Sequence, residues 1–91
     1  MINVSFNELA DYLRHGREIE FAYKGKEYSI TNHSGYWYLC DDTEHKFLET
    51  LAPFIDKEAL VSKTSILFID DLTIQQIFDR QLYDKERLHI L

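Results

Sequence analysis

Residues 18–40 read EIEFAYKGKEYSITNHSGYWYLC, and their polarity alternates with a period of two. Ile19 and Phe21 are each flanked by polar or small residues, which is typical of a strand with one buried face. The glycine-containing segments 24–25 and 32–35 have the composition of tight turns. Because turns this short cannot accommodate a parallel crossover, the sequence predicts a three-stranded antiparallel meander.

The residues before the meander predict an N-terminal helix over positions 6–15. Ser5 is a typical N-cap residue, and Glu8 lies three positions later, as in a capping box. Gly16 can adopt the left-handed conformation that ends a helix. The helical spacing of apolar residues predicts a buried side, which consists of Phe6, Leu9, Ala10 and Leu13.

Two further helical segments are predicted directly after the meander. The first follows the pair Asp41–Asp42 and ends at Pro53, because proline cannot continue a helix. Its apolar stripe consists of Phe47, Leu48 and Leu51. The second is a short helix over residues 57–63, where apolar side chains recur at helical spacing.

The C-terminal part of the chain predicts one more helix. Residues 66–69 fit a short strand or an extended segment. A final helix is expected to begin at Leu72, with Asp70 or Asp71 as its N-cap. Residues 83–91 are amphipathic, and we expect them to fray.

These elements together predict an α+β fold, a three-stranded antiparallel meander with an N-terminal helix and two or three C-terminal helices. The length of 91 residues predicts a single domain, residues 1–91. Apolar residues make up 45% of the chain and charged residues 29%, and this composition excludes a disordered protein. The single cysteine, Cys40, excludes an intramolecular disulfide.

The sequence also predicts the cellular compartment of the protein. No apolar run approaches the roughly 20 residues that a membrane-spanning helix needs, so we expect no contact with a membrane. The N-terminus lacks the basic segment and apolar core of a secretory signal. Together with the single thiol, this absence predicts a cytoplasmic protein.

Charge is distributed unevenly along the chain. The net charge is −6, which argues against direct binding of nucleic acid. Residues 41–79 hold nine acidic and three basic residues. If the acids converge in space, they form a patch that attracts a basic protein surface; the predicted partner-binding residues are Asp41, Asp42, Glu44, Asp70 and Asp71. The alternative is that these acids are solvated residues that cap helices.

A metal site is a further possibility at the end of the third strand. Cys40 and His45 are five positions apart, and Asp42 lies between them. Thiolate, imidazole and carboxylate are all zinc ligands, so Cys40, His45 and Asp42 are candidate ligands for a zinc ion that staples the loop. The alternative is a small buried thiol beside exposed histidines.

The aromatic strand and the absence of catalytic motifs bear on function. Tyr36, Trp37 and Tyr38 are predicted to divide between a buried face and an outward face that could bind a protein. Which face is buried stays open at this point.

The chain contains no phosphate-binding loop and no nucleophile motif, and we predict that it is not an enzyme.

The segment GREIEFAYKGKEYSI, residues 16–30, with residues 36–39 after it, resembles small proteins of Gram-positive bacteria and their phages. In those proteins a short helix precedes a G-x-E-I-E-F-x-Y-x-G-x-x-Y-x-I hairpin. Residues 69–74 are similar to a later I-D-G-x-x-L segment, with Asp71 in place of the glycine. The resemblance implies a fold and assigns no catalytic residue.

In size and acidity the chain is also similar to anti-CRISPR inhibitors of phages. Several of these inhibitors occupy the basic nucleic-acid channels of RNA-guided nucleases. The resemblance implies a small acidic inhibitor that binds a basic protein surface such as a CRISPR nuclease. The alternatives are a zinc-stapled binding domain and a host accessory or regulatory domain without a role in defence.

Overall fold

A computed structural model describes residues 3–91. The elements in chain order are α1 (Phe6–Arg14), β1 (Ile19–Tyr23), β2 (Lys26–His33), β3 (Tyr36–Asp41), β4 (Lys46–Pro53), α2 (Lys57–Ile66), β5 (Phe68–Ile69), β6 (Leu72–Thr73), α3 (Ile74–Asp79), a 3₁₀ turn (Lys85–Arg87) and β7 (His89–Ile90). Five strands form an antiparallel sheet in the order β4-β3-β2-β1-β7, and β5 and β6 form a separate hairpin. The α+β class is confirmed, and the sheet is larger than the predicted meander.

Local sequence signals account for α1. The Ser5 side chain accepts a hydrogen bond from the Glu8 backbone N–H at 3.2 Å, and the Glu8 carboxylate accepts one from the Ser5 N–H at 3.1 Å. The predicted capping box is therefore present. Gly16 has a φ of +79°, which a residue without a Cβ adopts at little cost when a helix ends.

The predicted meander forms β1, β2 and β3. Phe21 lies opposite Tyr28, and Ile30 lies opposite Leu39. Since residues opposite each other in an antiparallel pair point to the same face, these side chains share one apolar face. Trp37 lies on this face as well and is fully buried, so the question of which aromatic residue of β3 points inward is answered.

The helix predicted between Asp41 and Pro53 is wrong, because this segment is β4. His45 has a φ of +56° in the turn that returns the chain alongside β3. The register between β3 and β4 shifts twice, so that Leu48 and Leu51 are extra residues on the β4 side. Each β-bulge displaces the alternation by one position, and the resulting apolar spacing imitates a helix.

The two later helices lie where they were predicted, but the N-cap of the final helix differs from the prediction. The second helix is present as α2, and the Asp56 side chain accepts a hydrogen bond from the Ala59 N–H at 3.0 Å. The final helix begins at Ile74, and its N-cap is Thr73 rather than Asp70 or Asp71. The two aspartates instead form the turn between β5 and β6.

The C-terminal segment is paired rather than frayed. Strand β7 pairs with β1 at the edge of the sheet, and the Asp84 N–H donates to the Ala22 carbonyl oxygen at 2.9 Å. Tyr83 is only 3% exposed, and its hydroxyl oxygen accepts a hydrogen bond from the Val4 N–H at 2.6 Å. The two ends of the described chain are therefore held together through Tyr83.

All three α-helices pack on one face of the sheet. The Phe21 ring lies 5.6 Å from the Tyr28 ring and 5.2 Å from the Phe78 ring of α3. The largest core side chains are Leu9, Leu13, Ile19, Phe21, Ile30, Trp37, Leu60, Ile74, Ile77 and Phe78. Among residues 3–91, no helix is long and apolar enough to cross a membrane.

Replacing Tyr83 by phenylalanine tests the contact between the chain ends. The substitution leaves the buried Val4 N–H without an acceptor, which costs about 1–3 kcal/mol. Equilibrium unfolding in urea should show this loss in the free energy of unfolding. Tyr36→Phe is the control. Tyr36 is 46% exposed, so removal of its hydroxyl leaves no buried group without a hydrogen-bond partner. Equal effects of the two substitutions would contradict the assignment.

Candidate functional site

The second face of the sheet is lined by the alternate side chains of the same strands. Glu20 lies opposite Ser29, Ser29 opposite Cys40, and Cys40 opposite Phe47. This row crosses four strands on the side away from the helices. We call the surface around it the open face; it consists of Glu18, Glu20, Glu27, Ser29, Thr31, Tyr38, Cys40, Asp42, His45, Phe47, Arg87 and His89.

Three adjoining depressions make the open face concave. The largest has a volume of about 560 Å³ and includes Glu20, Glu27, Asp42, His45, Arg87 and His89 in its lining. A second, of about 170 Å³, lies between Cys40, Asp42 and Phe47. A third, of about 180 Å³, extends towards Glu18 and Thr31. Asp42 lines all three, so the depressions form one continuous surface.

Carboxylates dominate the charge of the open face. Glu18 accepts hydrogen bonds from the Thr31 hydroxyl at 2.6 Å and the Asn32 N–H at 2.9 Å. Asp42 accepts one from the Ser29 hydroxyl at 3.1 Å. Glu27 pairs with Arg87 at 3.5 Å. Glu20 forms no ion pair with any residue that the structure describes.

The balance of charges on this face is therefore negative. Its four carboxylates belong to Glu18, Glu20, Glu27 and Asp42. The basic residues that line the three depressions are Arg87 and Lys46. Like charges fixed on one rigid sheet raise the local negative potential and attract cationic groups.

Asp41, one of the predicted partner-binding residues, is directed to the helix side of the sheet. It is 2% exposed, and its carboxylate lies 2.9 Å from the Lys26 ammonium group. It also accepts a hydrogen bond from the Glu44 N–H at 2.9 Å. These two contacts, the Lys26 contact first, hold the pKa of Asp41 below its usual range. The Asp41 carboxylate is therefore occupied by contacts within the chain and does not face a partner.

Asp70 and Asp71 lie in the β5–β6 turn, away from the open face. The Asp71 carboxylate accepts from the Lys24 ammonium group and from the Tyr23 hydroxyl, each at 3.0 Å. The hydrogen bond from Lys24 is the main reason why the pKa of Asp71 is lowered. Asp70 lines a small depression together with Asp41, Lys26 and Lys46, so lysines are interspersed among these acids.

The remaining acids of residues 41–79 are also dispersed. Glu44 is exposed in the β3–β4 turn. Glu58 pairs with Arg14 at 2.9 Å, and Glu49 pairs with Lys63 at 3.6 Å. Of the five predicted partner-binding residues, only Asp42 lies on the open face. The structure therefore does not bring the five residues together as one patch.

The candidate zinc ligands line one depression without forming a metal site. Cys40, His45 and Asp42 all border the 170 Å³ hollow. Within residues 3–91, however, no group of three or more His, Cys, Asp or Glu side chains is placed to hold a metal ion. Burial, and then the charge of Asp42, raise the pKa of the Cys40 thiol, which favours the protonated form over the metal-binding thiolate. Zinc binding is not supported.

Glu20, Glu27 and His89 belong to the site but were not predicted from the sequence. Glu20 could have been predicted, because the period-two alternation of β1 places its side chain on the face that is not occupied by the buried Ile19 and Phe21. The tight turn at 24–25 then brings Glu27 beside it on the same face. His89 had no such signal, since the pairing of β7 with β1 depends on contacts between distant parts of the chain.

The Asp41 contacts predict a dependence of stability on pH. A carboxyl group with a lowered folded-state pKa adds stability above its unfolded-state pKa, and this stability is lost as pH falls through the folded-state value. Asp41→Asn should lower the urea midpoint at pH 7 and reduce the further loss between about pH 5 and pH 2. Glu44→Gln, in the same turn, is the control and should leave both quantities near wild type. An unchanged acid transition in Asp41→Asn would refute this role.

Comparison with known proteins adds no relative. No protein-family model matches the chain, and neither the curated proteins nor the solved structures yield a match. The geometry and charge of the open face are therefore the features that bear on function.

Proposed function

We propose that this chain is a small acidic protein-binding module that uses its open face to cover a basic surface of another protein. The observation that carries the proposal is the concentration of four carboxylates on the helix-free side of the sheet, where the lining of the depressions contributes Arg87 and Lys46 as cations. Charges placed in this way steer association with an oppositely charged partner and select against acidic ones.

The dimensions of the open face support a protein partner. Five strands at a spacing of about 4.8 Å give a surface roughly 20–25 Å wide, and the whole molecule extends 29 × 27 × 23 Å. A standard interface buries about 800 Å² on each partner, which a surface of this width can supply. The lining of the 560 Å³ depression consists mainly of polar side chains, whereas small-molecule pockets are mostly apolar.

The specific form of the proposal is an inhibitor of an RNA-guided nuclease. The channel of such a nuclease is lined by basic residues that contact phosphates. A rigid sheet face with several carboxylates offers those residues alternative anionic partners. The similarity of the chain to anti-CRISPR inhibitors in size and acidity supports the same reading.

The experiment measures binding of the chain to a panel of purified RNA-guided nucleases, each with and without its guide RNA. We expect one nuclease to bind, with affinity that falls as salt rises and as guide or target nucleic acid fills the channel. Target cleavage by that nuclease should be blocked. A host regulatory domain would instead bind none of the nucleases, and that result would overturn the inhibitor proposal.

Two double charge reversals locate the binding surface. Glu20→Lys with Glu27→Lys inverts charge on the open face, and Asp70→Lys with Asp71→Lys makes the same change of charge in the β5–β6 turn. We expect the first pair to weaken binding at least about tenfold, because opposing charges become like charges, and the second to weaken it less than about threefold. Biolayer interferometry measures the affinities.

Melting temperatures show whether each variant is folded. Glu20→Gln with Glu27→Gln removes the charge without reversing it and should give an intermediate loss of affinity. The open face is not the binding surface if the β5–β6 pair abolishes binding while the open-face pair leaves it intact.

A further inference from the structure

An aromatic pair, of which one ring is exposed and the other half-buried, lies on the open face. The ring centroids of Tyr38 and Phe47 are 4.8 Å apart at an interplanar angle of 40°. Phe47 is 65% exposed and contributes nothing to the core between sheet and helices. Phe47 borders the hollow that Cys40 and Asp42 also line. An exposed ring that shares a hollow with a carboxylate is a favourable place for a planar cation.

Two other aromatic rings of this protein are already covered by its own lysines. The Lys24 ammonium group lies 5.4 Å from the centre of the Tyr23 ring, and that of Lys57 lies 4.7 Å from the centre of the Phe54 ring. Among the described residues, no cation lies over the Tyr38–Phe47 pair. Lys46 lines the same hollow but stacks on neither ring. The exposed ring of this pair is therefore accessible to a cation of a partner.

We propose that the open face binds an extended, arginine-bearing segment of its protein partner, with one guanidinium group stacked on the Tyr38–Phe47 pair and bound to Asp42. This inference rests on the proposed function and specifies its partner. Arginine fits better than lysine because its planar guanidinium stacks on rings and donates two parallel hydrogen bonds to a carboxylate. A lysine ammonium group is compact and strongly hydrated, so it gains less from either contact.

The cross-strand row sets the spacing of the arginines. From Phe47 through Cys40 and Ser29 to Glu20 the row spans three strand separations, or about 14 Å. An extended peptide rises about 3.4 Å per residue. Two arginines four positions apart can therefore reach the Phe47 and Glu20 ends of the row together.

The test uses short glycine–serine peptides titrated into the isotope-labelled full chain at low ionic strength, with NMR shifts as the readout. One peptide carries two arginines four positions apart, and its match carries two lysines at the same positions. We expect the arginine peptide to bind about two- to fivefold more tightly, which corresponds to a stacking contribution at an exposed site. Equal affinities for the two peptides would overturn the inference.

Phe47→Leu supplies the residue-level test. It keeps an apolar side chain in β4 and removes the ring, so the preference for arginine should disappear while lysine-peptide affinity is unchanged. Phe68→Leu is the matched control, because Phe68 is similarly exposed at 67% but lies on β5, outside the open face. The inference fails if the two substitutions have the same effect on the preference.

The remaining outcomes separate this inference from the function on which it rests. If Glu20→Gln with Glu27→Gln weakens both peptides equally and the preference for arginine is absent, the acidic docking face stands and the stacked arginine is wrong. If neither peptide shifts any open-face resonance, the inference is overturned, and the nuclease binding and charge reversals described above then decide separately whether the acidic docking face exists. Binding of a single-stranded oligonucleotide to the Tyr38–Phe47 pair would also overturn the inference, since such rings can stack on bases.

Discussion

The one-sided packing of the sheet governs the rest of this structure. Phe21 and Trp37 are fully buried on the side where the three helices lie. Among residues 3–91, no further helix covers the second side. The exposed residues on this side must therefore be compatible with water, and Glu20 and Glu27 meet that requirement. The surface available for binding is a consequence of how the core is built.

The same packing separates acidic residues that form ion pairs on the helix side of the sheet from acidic residues that lie on the open face. Asp41 is on the helix side of β3 and is held by Lys26, whereas its neighbour Asp42 contacts Ser29 on the open face. Asp41 is the last residue of β3 and Asp42 the first residue of the turn after it, so two neighbouring aspartates have different environments. Local charge density along the sequence is for this reason a poor guide to charge density on the surface.

Much of the architecture was predictable because its signals are local. Ser5 with Glu8 fixes the start of α1, and the alternation around Phe21 fixes β1 and its face. The error over β4 has a physical cause, since the bulges at Leu48 and Leu51 break the period-two pattern that identifies a strand. The helix start at Thr73 was missed because two aspartates, also good capping residues, precede it in a turn.

The α+β class, the antiparallel meander and the acidic character of the chain were all predictable from the sequence, because side-chain periodicity, capping residues and composition are local properties. Which carboxylates share a surface depends on how the chain folds in three dimensions. Glu20, Asp42 and His89 come from distant parts of the chain, and strand pairing brings them together. Their proximity depends on the register of β1 with β2 and β7, and register is set by the packing of the whole sheet against its helices.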